Sequence, residues 1–422
     1  MSLRFVTAAS MAGTLIEWYD FFIYTSVSPY ISAKFFPRGD PAAAVLLTWL
    51  VFATGFVVRP LGAAIFGHLG DRIGRKSTFL ATLAIMGTAT FLMGLLPTYD
   101  QAGIWAPALL TALRIIQGIS LGGEYGGAVT YVLEHAPPHR RAFYAGFVAA
   151  TPPLGLGLAS ITLVAASLML PRPDFENWGW RVPFLVSLVL TVLGLVLRYR
   201  LLETPLFDAL KREGALSKIP LVEAFVKYPR YMALGIIIAA GHSVLAYTST
   251  GYIFTYLTNV AKADPVSVNL AVGAAGLAQL PFYIALAYLA DRVGRRAIYL
   301  AGLAYGLLTY YPIYSWLGVN RGVPGIALGA FLLILATAFT FSVLGTAIAE
   351  MFPTRVRYTG MSMAFNIGIG LFGGFTPSVV QAIGMALGNP LAGVAAYTYL
   401  VVAVALASAL FFMPETGRSE LK

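Results

Sequence analysis

Two copies of a short, charged, glycine-rich stretch occur in the sequence, the first being Gly67-His-Leu-Gly-Asp71-Arg72-Ile-Gly74-Arg75-Lys76. The second copy is Ala287-Tyr-Leu-Ala-Asp291-Arg292-Val-Gly294-Arg295-Arg296. Each copy lies between long apolar runs, and its clustered charges cannot lie in hydrocarbon. A second repeated pattern follows each stretch further along the chain. It is Glu134-His-Ala-Pro137 with Arg141 after the first stretch, and Glu350-Met-Phe-Pro353 with Arg357 after the second. The chain is therefore an internal duplication, and each charged stretch marks a membrane surface.

The composition is that of a membrane protein. Of 422 residues, 58% are hydrophobic and 11% are charged, and the mean hydropathy is +0.77. Soluble domains carry about 25% charged residues, so this chain has too few to cover a water-facing surface. The chain has no cysteine, which excludes disulfides, thiolate metal sites and a cysteine nucleophile.

Runs of about 20 apolar residues cross a bilayer as helices, and the sequence predicts an all-α membrane protein with twelve of them. Residues 1–202 and 231–422 form two six-helix, pseudo-symmetric halves, and residues 203–230 form a linker. The predicted spans 1 to 12 cover residues 5–33, 42–67, 77–97, 103–134, 142–170, 180–202, 231–260, 265–290, 297–317, 323–350, 358–387 and 390–413.

The basic residues predict the orientation of the spans. If spans alternate, 20 of the 28 lysines and arginines fall on the side of Asp71, six fall on the other side, and Arg59 and Arg114 fall inside spans. Cytoplasmic loops carry the excess of basic residues, so both termini are predicted to be cytoplasmic, in a prokaryotic cell (inner) membrane. This distribution explains the net charge of +10 without a nucleic-acid partner.

Ionisable residues inside a bilayer are costly and usually functional. Five lie inside the predicted spans away from the span ends, all in the first half: Glu17, Asp20, Arg59, Arg114 and Glu124. At 1.5 Å per residue, similar depths favour the pairs Asp20–Arg114 and Arg59–Glu124. For Arg59–Glu124 a purely structural pair remains an equal alternative.

Side-chain spacing adds candidates for a cavity lining. Glu17, Asp20 and Tyr24 share one helix face, as do Arg114, Gln117 and Glu124. Tyr247 and Tyr252 belong to a tyrosine- and threonine-rich run in span 7, and Asn366 is a polar residue of span 11. His242 is read as a hydrogen-bonded core histidine rather than a proton site. The predicted substrate-binding set is Arg59, Arg114, Gln117, Tyr24, Glu124, Tyr247, Tyr252 and Asn366.

Several motifs resemble the major facilitator superfamily, and within it the metabolite:proton symporter branch. They are Gly13-Thr-Leu-Ile-Glu17-Trp18-Tyr19-Asp20-Phe21-Phe22, Arg59-Pro60-Leu-Gly62, the stretch at 67–76, Arg114-Ile-Ile-Gln117-Gly118-Ile-Ser-Leu-Gly122-Gly123-Glu124-Tyr125-Gly126 and Trp178-Gly-Trp180-Arg181. The branch includes permeases for α-ketoglutarate, citrate, shikimate and proline or betaine.

The resemblance implies alternating access around a midplane site. It also implies that the charged stretches bridge the halves and stabilise the outward-facing state. The gate residues expected from it are Gly67, Asp71, Arg72, Gly74, Arg75, Glu134, Arg141, Asp291 and Arg295. Coupled relatives carry an acid–arginine pair on spans 1 and 4, so Asp20, Glu17 and Arg114 are the predicted proton-coupling residues.

The predicted function is proton-coupled import of a small organic acid such as a di- or tricarboxylate. Uptake of a zwitterionic osmolyte such as proline or betaine, or of a shikimate-like metabolite, is the alternative, and a non-transporting sensor is a weaker one. The sequence shows no metal-ligand cluster, nucleophile–base pattern or phosphate-binding loop. The expected partners are the substrate, protons and the lipid bilayer, with no cofactor, no metal, no enzymatic activity and a monomeric state.

Overall fold

The computed structural model describes residues 3–37, 39–73, 75–199 and 220–417. Within these ranges the chain is helical and contains no strand. In the first half, spans 1 to 6 are formed by helices Leu3–Ser26 with Ser28–Phe35, Pro41–Val57 with Arg59–Ile73, Arg75–Leu95, Trp105–Leu121 with Glu124–His135, Arg141–Ala149 with Thr151–Met169, and Val182–Tyr199. Short helices Tyr99–Ala102 and Arg172–Asn177 and 3-10 turns Pro138–Arg140 and Gly179–Arg181 lie between them.

The second half begins after the short helix Pro220–Lys227, and three of its spans contain π-helical turns. Spans 8 to 10 are Pro265–Ala278 with Leu280–Val293, Arg295–Leu317, and Val323–Met351. Span 7 comprises Pro229–Tyr247, Thr248–Tyr252 (π), Ile253–Thr255 and Tyr256–Val260 (π), span 11 comprises Thr354–Gly368, Ile369–Gly373 (π) and Thr376–Ala386, and span 12 comprises Pro390–Gly393, Val394–Thr398 (π) and Tyr399–Phe412.

Nine helical stretches of the described residues are long and apolar enough to cross a membrane, and a shorter apolar helix covers Leu80–Leu95 in span 3. The nine are spans 2, 4 to 8 and 10 to 12. Spans 1 and 9 are helices of crossing length that carry more polar residues, among them Glu17 and Asp20 in span 1. The two-half, twelve-helix fold is thus confirmed, with three spans weaker in hydropathy than the others.

Proline explains why several spans are built from two helices. Pro60, Pro152 and Pro281 each stand near the start of the second helix of their span. Proline lacks the N–H that would continue the helical ladder, so the axis is interrupted there. Pro281 is the second residue of its helix in span 8, as Pro60 is in span 2, which is consistent with a duplicated unit.

Span 4 breaks without proline, at Gly122 and Gly123. The glycines before and at this break allow close packing on span 2: a Cβ at Gly118 would lie 1.8 Å from the Gly55 carbonyl oxygen, and a Cβ at Gly122 would lie 2.1 Å from that of Arg59. Glycine therefore lets two backbones touch, which positions the charged residues of spans 2 and 4 side by side.

Candidate functional site

The halves pack along spans 5 and 8 and along spans 2, 4 and 11, and two cavities lie between them. The first, here the Arg59 compartment, is lined by Glu17, Trp18, Phe21, Arg59, Leu121, Tyr125, Phe365 and Asn366. The second, here the His242 compartment, is the larger of the two. Its lining is Trp18, Phe22, Pro152, Pro153, Leu156, His242, Ala246, Tyr247, Thr250, Tyr283, Ile334, Thr337, Phe341 and Ile369. Trp18 borders both compartments.

Aromatic rings surround Arg59, which is the first residue of its helix in span 2. Its Cζ lies 4.1 Å from the ring centroid of Phe56 and 5.3 Å from that of Phe21. Tyr247 closes the group from the second half, with its ring 5.1 Å from Phe56 and 5.9 Å from Phe21. Cation–π contacts of this kind stabilise a guanidinium in a dry site. The Arg59 Nε makes no hydrogen bond to the described residues, and the charge of Glu17 in the same compartment acts on the guanidinium.

Arg114 also packs against the Phe21 ring, but it does not line either compartment. Its Cζ is 4.6 Å from the Tyr24 ring and 5.5 Å from Phe21. Its Nη2 donates to the Phe52 carbonyl at 3.2 Å, and its Nη1 donates to the Gln117 side chain. Arg114 therefore supplies positive charge next to the cavity rather than inside it.

The predicted Asp20–Arg114 ion pair is not formed among the described side chains. Asp20 Oδ1 instead accepts from Ser187 Oγ of span 6 at 2.6 Å, and Oδ2 is buried without a hydrogen-bond partner in the described part of the chain. Gln117 lies between the two groups, because its Nε2 donates to Thr90 Oγ1 at 2.9 Å and to the Asp20 carbonyl at 3.4 Å. Equal depth did bring the residues near each other, but an amide separates their charges.

The second predicted pair, Arg59–Glu124, is likewise absent from the ion pairs of the described residues. Arg59 faces the aromatic rings, whereas Glu124 Oε2 accepts from Thr82 Oγ1 of span 3 at 3.4 Å. Glu124 is the first residue of its helix after the Gly122–Gly123 break. The break changes the direction of the following side chain, which a straight-helix estimate of depth cannot include.

The other predicted binding residues divide between cavity and scaffold. Tyr247 and Asn366 line the compartments. The hydroxyl of Tyr24 donates to the Thr48 carbonyl at 2.7 Å, and that of Tyr252 donates to the Pro390 carbonyl at 3.0 Å. These two tyrosines and Gln117 thus occupy structural positions in this conformation.

The second charged stretch joins the two halves on one face, here called the Asp291 face. The Asp291 carboxylate accepts from the backbone N–H groups of Ala142 at 3.1 Å and Phe143 at 2.9 Å, and so caps the first-half helix Arg141–Ala149. Arg295 contacts Asp291 at 3.0 Å and Glu350 at 3.2 Å.

Two further contacts cross the Asp291 face. Glu134 of the first half pairs with Arg357 of the second at 3.4 Å, and the charges of Arg141 and Glu350 also interact across the halves. Glu350 and Arg357 lie in helices Val323–Met351 and Thr354–Gly368, so the prediction that second-half spans hold no ionisable residue was wrong at their ends. Helix Thr354–Gly368 begins right after Pro353, earlier than predicted.

The first charged stretch lies partly outside the described residues. Gly74 lies outside the described residues, and so do the side chains of Asp71, Arg72 and Arg75 and the surroundings of Gly67. The substitution of Ala287 for glycine in the second copy does have an explanation: its Cβ lies only 2.4 Å from where a Cβ would stand at Gly146 of span 5. The glycine needed for close approach is supplied by the other half.

The opposite face, here called the Trp49 face, is closed as well. Trp49 Nε1 of span 2 donates to Thr255 Oγ1 of span 7 at 2.7 Å. Asn269 Nδ2 of span 8 donates to the Ser26 carbonyl of span 1 at 2.9 Å. Contacts between the halves are thus present on both faces, and this conformation is called occluded here.

Sequence reasoning missed several residues that line the compartments. Tyr283 and Thr337 are polar side chains within apolar spans 8 and 10, and their hydroxyls lie 3.0 Å apart. Trp18 was not among the predicted binding residues, and His242 was read as a core residue, but both face a compartment. His242 Nδ1 is hydrogen-bonded to Thr340 Oγ1 at 2.7 Å, as expected. Isolated polar residues in apolar spans were the signal available for Tyr283 and Thr337.

Comparisons with known proteins agree with this architecture. A family model described as "Sugar (and other) transporter" matches residues 5–219 and again residues 220–422. The chain belongs to this transporter family of the major facilitator superfamily. It is 39% identical over 378 residues to the inner membrane metabolite transport protein YhjE of Escherichia coli K12, covering 86% of this chain and 83% of that protein.

Other relatives carry different substrate names. The shikimate transporter of Escherichia coli K12 is 34% identical, with 90% of this chain and 87% of that protein covered. A putative proline/betaine transporter of Staphylococcus haemolyticus is 33% identical, with 90% and 81% covered. Among solved structures, the proton:xylose symporter XylE bound to 6-bromo-6-deoxy-D-glucose aligns with a TM-score of 0.76 at 17% identity, covering 99% of this chain and 97% of that one. That likeness supports the fold, and the family shows a multi-pass membrane transporter.

Proposed function

We propose that this transporter is a proton-coupled symporter that imports a small organic anion across a prokaryotic cell (inner) membrane, with both termini in the cytoplasm. The occluded compartments and the contacts on both faces support alternating access, in which either face opens in turn. The names of the relatives, which include metabolite, shikimate and proline/betaine transporters, support a small metabolite as the substrate.

The observation that carries proton coupling is the setting of Asp20. Its carboxyl group is buried, receives one hydroxyl donor from Ser187, and has no guanidinium within ion-pair distance in the described part of the chain. An ionised carboxylate with so few partners would be costly in a dry interior. We infer that Asp20 carries a proton in the occluded state. It would release this proton when the cavity opens and admits water, or when the Gln117 side chain moves away and Arg114 forms an ion pair with Asp20.

Anion binding is assigned to Arg59. Among the described residues that line the two compartments, Arg59 is the basic one and Glu17 the acidic one. A guanidinium can hold a carboxylate through two parallel hydrogen bonds. A di- or tricarboxylate, a shikimate-like acid and a zwitterion such as proline or betaine all have a carboxylate that could occupy this place.

Proteoliposomes test the coupling through Asp20→Asn. We expect uptake driven by an imposed pH gradient to be lost, while counterflow exchange of the same radiolabelled substrate persists, with shikimate, 2-oxoglutarate and glycine betaine as the trial substrates. Glu17→Gln is the comparison variant, because it neutralises the other candidate carboxylate, one turn away. Uphill accumulation by Asp20→Asn would transfer the role to Glu17, and uphill accumulation by both variants would refute proton coupling at this site.

A further inference from the structure

Charge is confined to one end of the combined cavity. The Arg59 compartment contains Arg59 and Glu17, whereas the residues that line the His242 compartment include no Asp, Glu, Lys or Arg. The two compartments adjoin at Trp18, whose ring is 6.3 Å from Phe341. A ligand that fills both would place its anionic group beside Arg59 and an uncharged body beside His242.

In the His242 compartment, hydrogen bonds within the protein already use the hydroxyl hydrogens of Thr250, Tyr283 and Thr337. Thr337 Oγ1 donates to the Ile334 carbonyl at 2.7 Å, so the Tyr283 hydroxyl must donate to Thr337 at 3.0 Å. Thr250 Oγ1 donates to the Ala246 carbonyl at 2.7 Å. A hydroxyl has one hydrogen and two lone pairs, so Thr250 and Tyr283 offer the cavity acceptor capacity only.

The same reasoning applies to His242. The hydroxyl of Thr340 directs its hydrogen to the Ala336 carbonyl at 3.1 Å or the Thr337 carbonyl at 3.3 Å. We therefore assign the Nδ1–H tautomer, with Nδ1 donating to Thr340 at 2.7 Å. Nε2 is then an acceptor, like the two hydroxyl oxygens.

Two hydrogen-bond donors lie on the side of the His242 compartment that is nearest to Arg59. The Trp18 indole N–H and the Tyr247 hydroxyl, which both line this compartment, make no hydrogen bond to the described residues. Trp18 borders the Arg59 compartment, and Tyr247 packs on Phe21 and Phe56, the rings that hold Arg59. Both donors thus lie toward Arg59, on the side where the carboxylate would bind, and the acceptors of Thr250, Tyr283 and His242 line the part that would hold the body.

From this polarity we infer the substrate class: a monocarboxylate whose uncharged, compact body carries several hydroxyl groups. Each hydroxyl can donate to Thr250, Tyr283 or His242, and the flat faces of Trp18 and Phe341 can cover a ring. A second carboxylate on the ligand would lie in the part of the His242 compartment that holds the body, where it would meet hydrogen-bond acceptors and aromatic rings. No donor among the described residues of that part would replace the water that this carboxylate loses on binding. A trimethylammonium group would give the acceptors no hydrogen. The inference rests on the proposed transport function and narrows its substrate.

Binding to the full chain in lipid nanodiscs, measured by calorimetry, tests the class. The probes are quinate, a cyclic monocarboxylate with several hydroxyls; cyclohexanecarboxylate, its analogue without hydroxyls; and 2-oxoglutarate, citrate and glycine betaine. We expect quinate to bind at least about tenfold more tightly than each other probe, since unmade buried hydrogen bonds cost at least that factor.

A variant pair assigns the effect to the lining. Thr250→Val removes one acceptor while nearly keeping side-chain shape, and we expect quinate binding to weaken about tenfold with cyclohexanecarboxylate unchanged. Thr258→Val is the matched control, because Thr258 Oγ1 makes the same type of bond, to the Phe254 carbonyl at 2.6 Å, on span 7 but outside both compartments.

The inference is overturned if 2-oxoglutarate, citrate or glycine betaine binds as tightly as quinate, if quinate does not bind, or if both threonine variants behave alike. Failure of the proposed function gives a different result. Quinate would then bind selectively without gradient-driven uptake in proteoliposomes, whereas gradient-driven uptake of a dicarboxylate would refute the substrate class alone.

Discussion

Removing the Asp291 carboxylate should open the Asp291 face. In the occluded state this group caps helix Arg141–Ala149 across the halves by accepting from the N–H groups of Ala142 and Phe143. Loss of such a cap costs about 0.5–2 kcal/mol. Because the cap exists only when the halves are together, Asp291→Ala should raise the ratio of open to closed molecules by about 5- to 30-fold for 1–2 kcal/mol.

A cysteine in the cavity can report this change, since the chain has no natural cysteine. Ala246→Cys places a thiol in the lining of the His242 compartment. In inverted vesicles, the rate at which a membrane-impermeant thiol reagent labels it should rise by the same factor in Asp291→Ala, with no rise in right-side-out vesicles.

The matched control is Asp40→Ala. Asp40 also accepts from two backbone N–H groups, those of Ala42 at 3.0 Å and Ala43 at 3.1 Å, but it caps a helix within its own half. Asp40→Ala should lower thermal stability without changing cavity labelling. Equal labelling of Asp291→Ala and its parent, or equal increases in both variants, would refute a bridging role for Asp291.

Four other outcomes are expected. Gly118→Ala should reduce the yield of stable, monodisperse protein, because the added Cβ would lie 1.8 Å from the Gly55 carbonyl oxygen. Overpacking of this kind costs about 1–3 kcal/mol or more. Gly123→Ala should be tolerated, because a Cβ there has no neighbour closer than 3.6 Å. Trp49→Phe removes the hydrogen bond to Thr255, which contributes about 0.5–1.5 kcal/mol. Labelling of Ala246→Cys should therefore become faster from the Trp49 face only, by the ratio of rates that corresponds to this free energy. Arg59→Lys should weaken substrate binding more than about tenfold, or roughly 1.4 kcal/mol, because lysine cannot bind a carboxylate bidentately; unchanged calorimetric affinity would exclude Arg59 as the anion site. Cysteines at Lys34, Arg172 and Lys262 should label from outside the cell and one at Lys227 should not, and the reverse pattern would invert the proposed topology.

The sequence predicted the class, duplication and spans because these depend on hydropathy and on repeated motifs. Depth was also predicted well: Asp20 and Arg114 do come close. The partners of these charges were not predicted, because depth along a helix says nothing about the direction of a side chain around it. Rings on three spans hold Arg59, and only the assembled bundle shows that Gln117 separates Arg114 from Asp20.

The compartment lining was the least predictable part. Whether Tyr252 faces a cavity or the Pro390 carbonyl depends on the π-helical turns of span 7, which hydropathy does not indicate. The acceptor character of the His242 compartment depends on bonds such as Thr250 to Ala246. These are set by neighbouring backbone groups, so residue type alone could not give them.

The break in span 4 links cavity and gate. Asn366 of span 11 lines the Arg59 compartment while its Nδ2 donates to the Gly122 carbonyl at 2.8 Å, and the Tyr358 hydroxyl donates to the Gly123 carbonyl at 2.6 Å. Both bonds cross the halves. An open Asp291 face would replace them with water at little cost, because carbonyls in a wet cavity remain hydrogen-bonded. A ligand that contacts Asn366 from the cavity side would instead hold the Asn366 amide against the Gly122 carbonyl. Because this hydrogen bond joins the two halves, ligand binding would favour the state in which the Asp291 face is closed.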